Sequence, residues 1–372
     1  MGLFGKKKPD SFLGVDIGAS SVKVVEFVNK KGRATLLTYG YGELPTAEAG
    51  DTLFDNPKAA GELLACVCKE SGCTSTAVMA ALPTSNVFST ILSIPEVKDM
   101  RQRQSVVNTE VAKLSPLPLS EMILQTTFLD DVAKPDKKAE KKIGAIPEAP
   151  KEKAKDFRVL VTGAAKTFIQ KYIETFKAAK LNLQAIDTEA LALVRSLVGK
   201  DKGAILMLDI GSKRTNIIIV EKGIPFVSRS ITIGGNTVTS QLMRTMGLSE
   251  MDADRVKRDL GIAPRQDTGL AGGLPKLLEP IMQPLLNEIR YAFQLYANME
   301  LAQIKKVEKI IVTGGSAHLP RIPDYLAQML NMNVYRGDPW ARVVYPADLA
   351  SVLEEIGPRM SVAVGLAMRE MD

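Results

Sequence analysis

The chain has 372 residues, 45% of them apolar, 24% charged and 5% aromatic, with a net charge of +6. At about 100–200 residues per domain this predicts two or three domains, and the balance excludes wholesale disorder and collagen-like architecture. The excess charge sits largely in residues 1–10 (three lysines, one aspartate) and 131–156 (eight lysines, six acids), so the body lacks the basic stripe and stacking aromatics that nucleic-acid binding needs.

The opening MGLFGKKK places its charges after a very short apolar patch, the reverse of a secretory signal. No apolar run approaches the ~18 residues that span a bilayer, so a cytoplasmic protein is expected. Residues 12–17, 22–28 and 34–40 are rich in Val, Ile, Leu and Thr and predict three strands joined by short turns. A helix is expected over 59–70, strands over 77–82 and 87–94, and a helix over 97–114 that the SPLPL run stops. Residues 122–130 and 157–163 predict a strand hairpin, and the Lys-, Glu-, Ala- and Pro-rich stretch between them a flexible surface loop.

The second half restates this plan. Residues 203–211 and 215–223 predict a hairpin and 224–234 a third strand. Helices follow over 235–246, 249–260 and 276–302, the last with an i, i+4 apolar stripe. Residues 309–315 predict a strand entering a glycine turn, and 360–370 a closing helix. Cys66, Cys68 and Cys73 lie close together, but the single histidine, His318, is far away, so reduced cysteines are expected rather than a zinc site. One histidine also argues against chemistry built on histidine acid/base pairs.

The central motif is an internal repeat. LGVDIGASSVKVVEF (13–27) and LMLDIGSKRTNIIIV (206–220) share strand, Asp-x-Gly, turn and strand. An apolar strand delivers Asp16 in one copy and Asp209 in the other, each costly to bury unpaired. Gly18 and Gly211 free the turns so that backbone amides converge on an anion. Ser20, Ser21, Ser212 and Thr215 add donors, and Lys23 a point charge suited to phosphate. Two such hairpins face to face would clamp a polyphosphate, with Asp16 and Asp209 holding a hydrated Mg²⁺. Two further glycine pairs enter predicted helices: Gly234-Gly235-Asn236 and Gly314-Gly315-Ser316.

These elements, DIGASSVK, DIGSKRT, GGN and TGGSAHLPRIP, resemble the actin-like ATPase superfamily. MGLFGKKKP, ALPTSNVFSTILSIP and EIRYAFQLYANM are similar to its FtsA-like branch of type IV pilus assembly proteins, the PilM family. The resemblance implies an α/β fold of two duplicated domains around a nucleotide cleft. Domain I would be 1–200, with an inserted 1C subdomain over about 85–165 and the flexible loop 131–156. Domain II would be 201–357, with a 2B part over about 240–305, and the helix 358–372 would return to domain I.

By the same resemblance, Asp16, Gly18, Ser20, Ser21 and Lys23 form the phosphate-1 turn, and Asp209, Gly211 and Thr215 phosphate-2. Gly234, Gly235 and Asn236 join the cofactor-binding set, and Gly314, Gly315 and Ser316 the adenosine turn. Glu189 stands where hydrolysing relatives orient water. Asp254, Lys257 and Arg258 match a chaperone motif that frames adenosine, with Asp for Glu, one methylene shorter. The implied cofactors are ATP and Mg²⁺, with slow or no hydrolysis.

The implied function is a scaffold of the inner-membrane pilus platform, held peripherally by docking the cytoplasmic tail of PilN. Pilus motor ATPases and weak self-association complete the expected partners. An FtsA-like filament protein is the alternative, although the chain ends at SVAVGLAMREMD without that branch's amphipathic anchor. A sugar or acetate kinase on the same fold would need a base beside an acceptor pocket, and only Glu189 qualifies.

Overall fold

A computed structural model of the chain describes residues 11–43, 53–95, 97, 99–129, 156–262 and 278–371. The loop expected over 131–156 lies outside them, Asp156 excepted. The described residues fall in two compact units, one of 1–85 with 171–372 and one of 86–170.

The larger unit is built on two five-stranded sheets of one design. The first holds β1 (Ser11–Ile17), β2 (Ser21–Lys30), β3 (Arg33–Glu43), β4 (Ala77–Leu82) and β8 (Asn182–Thr188) in the order β3-β2-β1-β4-β8. The second holds β9 (Ala204–Ile210), β10 (Thr215–Glu221), β11 (Ile224–Ile231), β12 (Lys309–Thr313) and β13 (Asn333–Arg336) in the order β11-β10-β9-β12-β13. In each, three strands meander antiparallel and two add in parallel on the far side. β1 and β9 are central and almost wholly buried, which is why they read as continuous apolar runs rather than alternating ones.

Helices pack on these sheets: α1 (Pro57–Glu70), then α4 (Glu189–Leu193) running into a π-helical turn, α7 (Glu279–Asn298), α8 (Ile322–Leu330) and α9 (Ala350–Ala367), while α5 (Gly235–Met246) packs on α6 (Glu250–Ile262) and on α7. α9 packs on β1 and α4, and at two glycines the backbones meet with no side chain between. A Cβ on Gly14 would strike the backbone of Ala363, and one on Gly365 the carbonyl of Ala192. The closing helix therefore begins well before residue 358, the start that the sequence suggests. Pro358 sits inside it, so a residue that reads as a boundary is tolerated by a buried helix. β8, β13, α8 and α3 (Lys166–Ala178) are the elements that strand and helix patterning misses. β8 and β13 are partly exposed, without the apolar run that marks the inner strands.

The smaller unit carries β5 (Phe88–Ile94), β6 (Met122–Phe128) and β7 (Phe157–Ala165) in the order β5-β7-β6, with α2 (Met100–Leu114) alongside. β6 and β7 form the antiparallel pair expected from the sequence. Val107 and Val111 of α2 close its core against Ile94, Val159 and Val161.

Candidate functional site

The two Asp-x-Gly turns stand at matching places, at the ends of β1 and β9. Asp16 faces Lys23 across the β1–β2 ladder, and Lys23 Nζ donates to Asp16 Oδ2 at 3.0 Å. Asp209 faces Asn216 across the β9–β10 ladder, and Asn216 Nδ2 donates to Asp209 Oδ2 at 3.1 Å. Each turn is closed by one backbone bond, Gly18 to Ser21 at 2.8 Å and Gly211 to Arg214 at 2.9 Å. Ser20 and Ser21 stand half-buried on the first turn. Thr215 commits its hydroxyl to the Ile233 carbonyl at 2.7 Å, so it ties the second turn to the Gly-Gly segment.

Glu189 opens α4, with Thr188 as its N-cap. Its Oε2 accepts three hydrogen bonds: from the Thr84 amide at 2.7 Å, the Thr84 hydroxyl at 2.9 Å and Asn216 Nδ2 at 3.0 Å. Burial, then the Asp209 and Asp16 carboxylates, push the Glu189 carboxyl up to about 8. Burial and Asp16 push Asp209 up to about 6, against the pull of Lys23 and Asn216. Glu189 is therefore mostly protonated at neutral pH. With its three donors gathered on Oε2, the proton belongs on Oε1. Three carboxyl groups, Asp16 buried and Asp209 and Glu189 partly so, lie near enough to repel one another, which a cation would relieve. Among the described residues no group of three or more His, Cys, Asp or Glu is placed to hold a metal unaided.

The remaining motifs meet at the second turn. The amides of Gly235 and Asn236 donate to the carbonyls of Gly211 and Ser212 at 2.9 and 2.8 Å. Ser316 donates from its amide to Ile210 at 3.0 Å and from its hydroxyl to Gly211 at 3.3 Å. A Cβ on Gly234 would lie 2.6 Å from the Ser212 carbonyl oxygen, and one on Gly235 would lie 2.6 Å from Ser316 Oγ. Gly314 has φ +90° and no room for a side chain beside Asp209. Its amide and the Thr313 hydroxyl both donate to the Pro358 carbonyl at 3.0 Å, which anchors the turn to α9. Gly315 follows, where a Cβ would make an ordinary contact with Arg359 Nε at 3.8 Å.

α6 brings Asp254, Lys257 and Arg258 to the same region. Lys257 pairs closely with Asp254 and donates to Thr239 at 2.8 Å, and Arg258 Nε donates to Asp254 at 2.7 Å. Burial opposes ionisation of Asp254, but these two cations hold its carboxyl below the usual range. Arg258 also reaches Glu43, at the end of β3, at 2.9 Å, and Arg359 reaches the same carboxylate at 3.3 Å. The sequence reading passed over Thr84, Glu43 and Ser230. Ser230 lies beside Asn216 on the next strand, its buried Oγ without a partner among the described residues.

A family model for type IV pilus assembly protein PilM matches residues 14–371. The chain is 23% identical over 393 residues to cell division protein FtsA of Borreliella burgdorferi, covering 96% of this chain and 90% of that one. Its fold is similar to that in the PilM–PilN type IV pilus biogenesis complex, with TM-score 0.78, 21% identity, and 98% of this chain and 100% of that chain covered. A weaker likeness joins it to ethanolamine utilization protein EutJ of Carboxydothermus hydrogenoformans, with TM-score 0.52, 13% identity, and 98% and 91% coverage. The fold is the actin-like ATPase fold.

Proposed function

The chain belongs to the type IV pilus assembly protein PilM family, and from that membership we propose that it is an ATP-binding scaffold of the pilus platform that docks the cytoplasmic tail of a PilN-type membrane protein. The observation that carries the reading is the family match over residues 14–371. The likeness to the PilM–PilN complex supports the choice of partner. No helix among the described residues is long and apolar enough to cross a membrane, which suits attachment to the inner membrane through that partner. Contacts with pilus motor ATPases and weak self-association belong to the same proposal. In this reading residues 1–200 and 201–357 are the two domains, about 85–165 the 1C subdomain, about 240–305 the 2B part, and 358–372 the end of the closing helix; the separate compact unit of 86–170 supports the 1C assignment.

The nucleotide half of the proposal rests on the carboxylate pair and the glycine turns. Asp16 and Asp209 would hold a hydrated Mg²⁺, and the raised Asp209 carboxyl is the sign that positive charge is wanted there. Lys23, Gly18, Ser20 and Ser21 would meet phosphate oxygens on one side, and Gly211 on the other. Gly234, Gly235, Asn236, Gly314, Gly315 and Ser316, with Asp254, Lys257 and Arg258, would frame the nucleoside. When bound, Mg-ATP supplies a charged group shared by the two duplicated sheets. A protonated Glu189 holds its place by hydrogen bonds but is a poor acceptor for a water proton, which favours slow hydrolysis or none. Partner and nucleotide would then be linked, each altering affinity for the other by the same factor.

The test is fluorescence anisotropy of a labelled PilN tail peptide with and without Mg-ATP. Nucleotide-dependent binding supports scaffold and linkage together. Binding blind to nucleotide keeps the scaffold and makes ATP structural. Failure to bind in both states would sink the docking reading.

The likeness to FtsA across 96% of the chain favours filament formation as the second reading. Long polymers in Mg-ATP by electron microscopy, without any partner, would put that reading first.

A further inference from the structure

The C-terminus of α1 ends in a tight reversal. The Gly72 amide donates to the Lys69 carbonyl at 3.1 Å and the Cys73 amide to the Cys68 carbonyl at 2.9 Å, with Gly72 at φ +68°. These nested bonds are the helix-ending motif in which the residue just past the glycine packs back on the residue five before it. That contact is ordinarily made by two apolar side chains. Here both are thiols, Cys68 and Cys73, hydrogen-bonded to each other. Cys68 is buried, Cys73 is partly exposed, and all three cysteines of the chain are free. Cys66 is exposed and two residues from Cys68, so it points to a different side of the helix.

We propose that Cys68 and Cys73 are a peroxide-oxidisable dithiol that closes reversibly to an intramolecular disulfide. The backbone on both sides is already fixed. The Thr74 amide and hydroxyl and the Ser75 amide all donate to Glu26, at 2.7, 2.6 and 3.0 Å, and Glu26 is fully buried. The Ser71 carbonyl accepts from Thr38 of β3 at 2.5 Å. The Cys73 amide on the Cys68 carbonyl at 2.9 Å holds the two Cα atoms within about 7 Å, a span that a disulfide bridges by side-chain rotation.

The roles divide by environment. The hydrogen bond from Cys68 lowers the Cys73 thiol, while that same bond and then burial raise Cys68. Cys73, as thiolate, attacks one oxygen of hydrogen peroxide. The O–O bond breaks, the departing hydroxide takes a proton and leaves as water, and Cys73 becomes a sulfenic acid. The Cys68 sulfur then attacks the Cys73 sulfur. The S–O bond breaks, and the expelled hydroxide takes the Cys68 proton and leaves as a second water. Two thiols are oxidised and one peroxide is reduced to two waters.

The test treats the full-length Cys66→Ser protein with stoichiometric hydrogen peroxide. Trypsin cuts after Lys69, which separates Cys68 from Cys73, and Cys66→Ser removes the other thiol from the Cys68 peptide. The expected result is a monomer that loses both thiols together, yields a disulfide-linked pair of tryptic peptides, and recovers both thiols with dithiothreitol. Cys68→Ser on the same background, which keeps a donor to Cys73 but cannot form the bond, should leave Cys73 as a sulfenic acid that dimedone traps. Should Cys68→Ser fail to fold, Cys73→Ala is the second variant, and there the remaining thiol should resist peroxide. Two thiols persisting after treatment, a sulfinic acid at Cys73 with Cys68 still present, or disulfides only between chains would each overturn the proposal.

Discussion

Asn216 stands opposite Asp209 at the ladder position where, in the other copy of the repeat, Lys23 stands opposite Asp16. The substitution of amide for ammonium makes the copies unequal. Asp16 has a full positive charge at 3.0 Å. Asp209 has only an amide, which it shares with Glu189, and its carboxyl is lifted to about 6. The second copy is thus short of positive charge in a buried place, and the proposed Mg²⁺ would meet that shortage.

Removing Asp209 should therefore separate stability from ligand response. Asp209→Asn removes a partly buried negative charge beside Asp16, so the free protein should melt at the same or a higher temperature. A ligand that binds only the folded state stabilises it by about 2.7 kcal/mol at a hundredfold excess over Kd. That Mg-ATP-dependent rise should vanish in Asp209→Asn and shrink in Lys23→Ala. Lys23→Ala should also cost about 3 kcal/mol at rest, because it strands Asp16. Scanning fluorimetry with and without Mg-ATP measures both, and an unchanged rise in both variants would refute the site assignment.

The same carboxyls set a pH dependence. Glu189 titrates near 8 in the folded protein against an ordinary 4.5, and Asp209 near 6 against 3.8. Both bind their protons more tightly when folded, so their stabilisation is complete in acid and lost as pH rises through about 6 and then about 8. For Glu189 alone the loss is on the order of 5 kcal/mol. Glu189→Gln keeps an oxygen for Thr84 and Asn216 but cannot ionise. Urea midpoints at about pH 5 and about pH 8.5 should fall steeply in the wild type and much less in Glu189→Gln. Parallel slopes would show that Glu189 is not the titrating group.

Much of this arrangement is legible in the sequence, and the limit is physical. The paired Asp-x-Gly hairpins announce themselves because each rests on a buried central strand whose apolar run is continuous. The Gly-Gly turns are visible as glycine pairs ahead of helices. Thr84 is not, because its role depends on meeting Glu189, 105 residues away. Nor is the Glu43–Arg258 pair, 215 residues apart, since nothing local marks an exposed glutamate at a strand end. The early start of α9 was hidden by Pro358, whose carbonyl serves Thr313 and Gly314 rather than a helix boundary.

The Gly-Gly turn predicts an ordered pair of mutants. A Cβ at Gly234 would meet two backbone oxygens, of Ser212 at 2.6 Å and Gly211 at 2.7 Å. A Cβ at Gly235 would meet only Ser316 Oγ at such range, and a serine hydroxyl can rotate away. Gly234→Ala should thus cost about 1–3 kcal/mol and weaken ATP binding with it. Gly235→Ala should cost less. Chemical denaturation with isothermal titration would show the order, and a reversed order would contradict the packing described.

Glu43 yields the sharpest contrast between stability and function. It joins β3 of the first sheet to Arg258 on α6, which packs with α5 behind the Gly234-Gly235 turn, and it also receives Arg359 of α9. Arg258 is half exposed, and an exposed ion pair is worth about 0–1 kcal/mol. Glu43→Gln should therefore leave the melting temperature of the free protein almost unchanged. The pair nevertheless spans the two duplicated halves, so its loss frees α6 from β3. If nucleotide lies between those halves, its release should quicken by up to about fivefold, the kinetic equivalent of ~1 kcal/mol. Raising salt should speed release from the wild type more than from the variant, because the exposed pair is screened. Stopped-flow chase of a fluorescent ATP analogue reads all four combinations. A wild-type release rate in Glu43→Gln would mean that the bridge plays no part in holding the halves together.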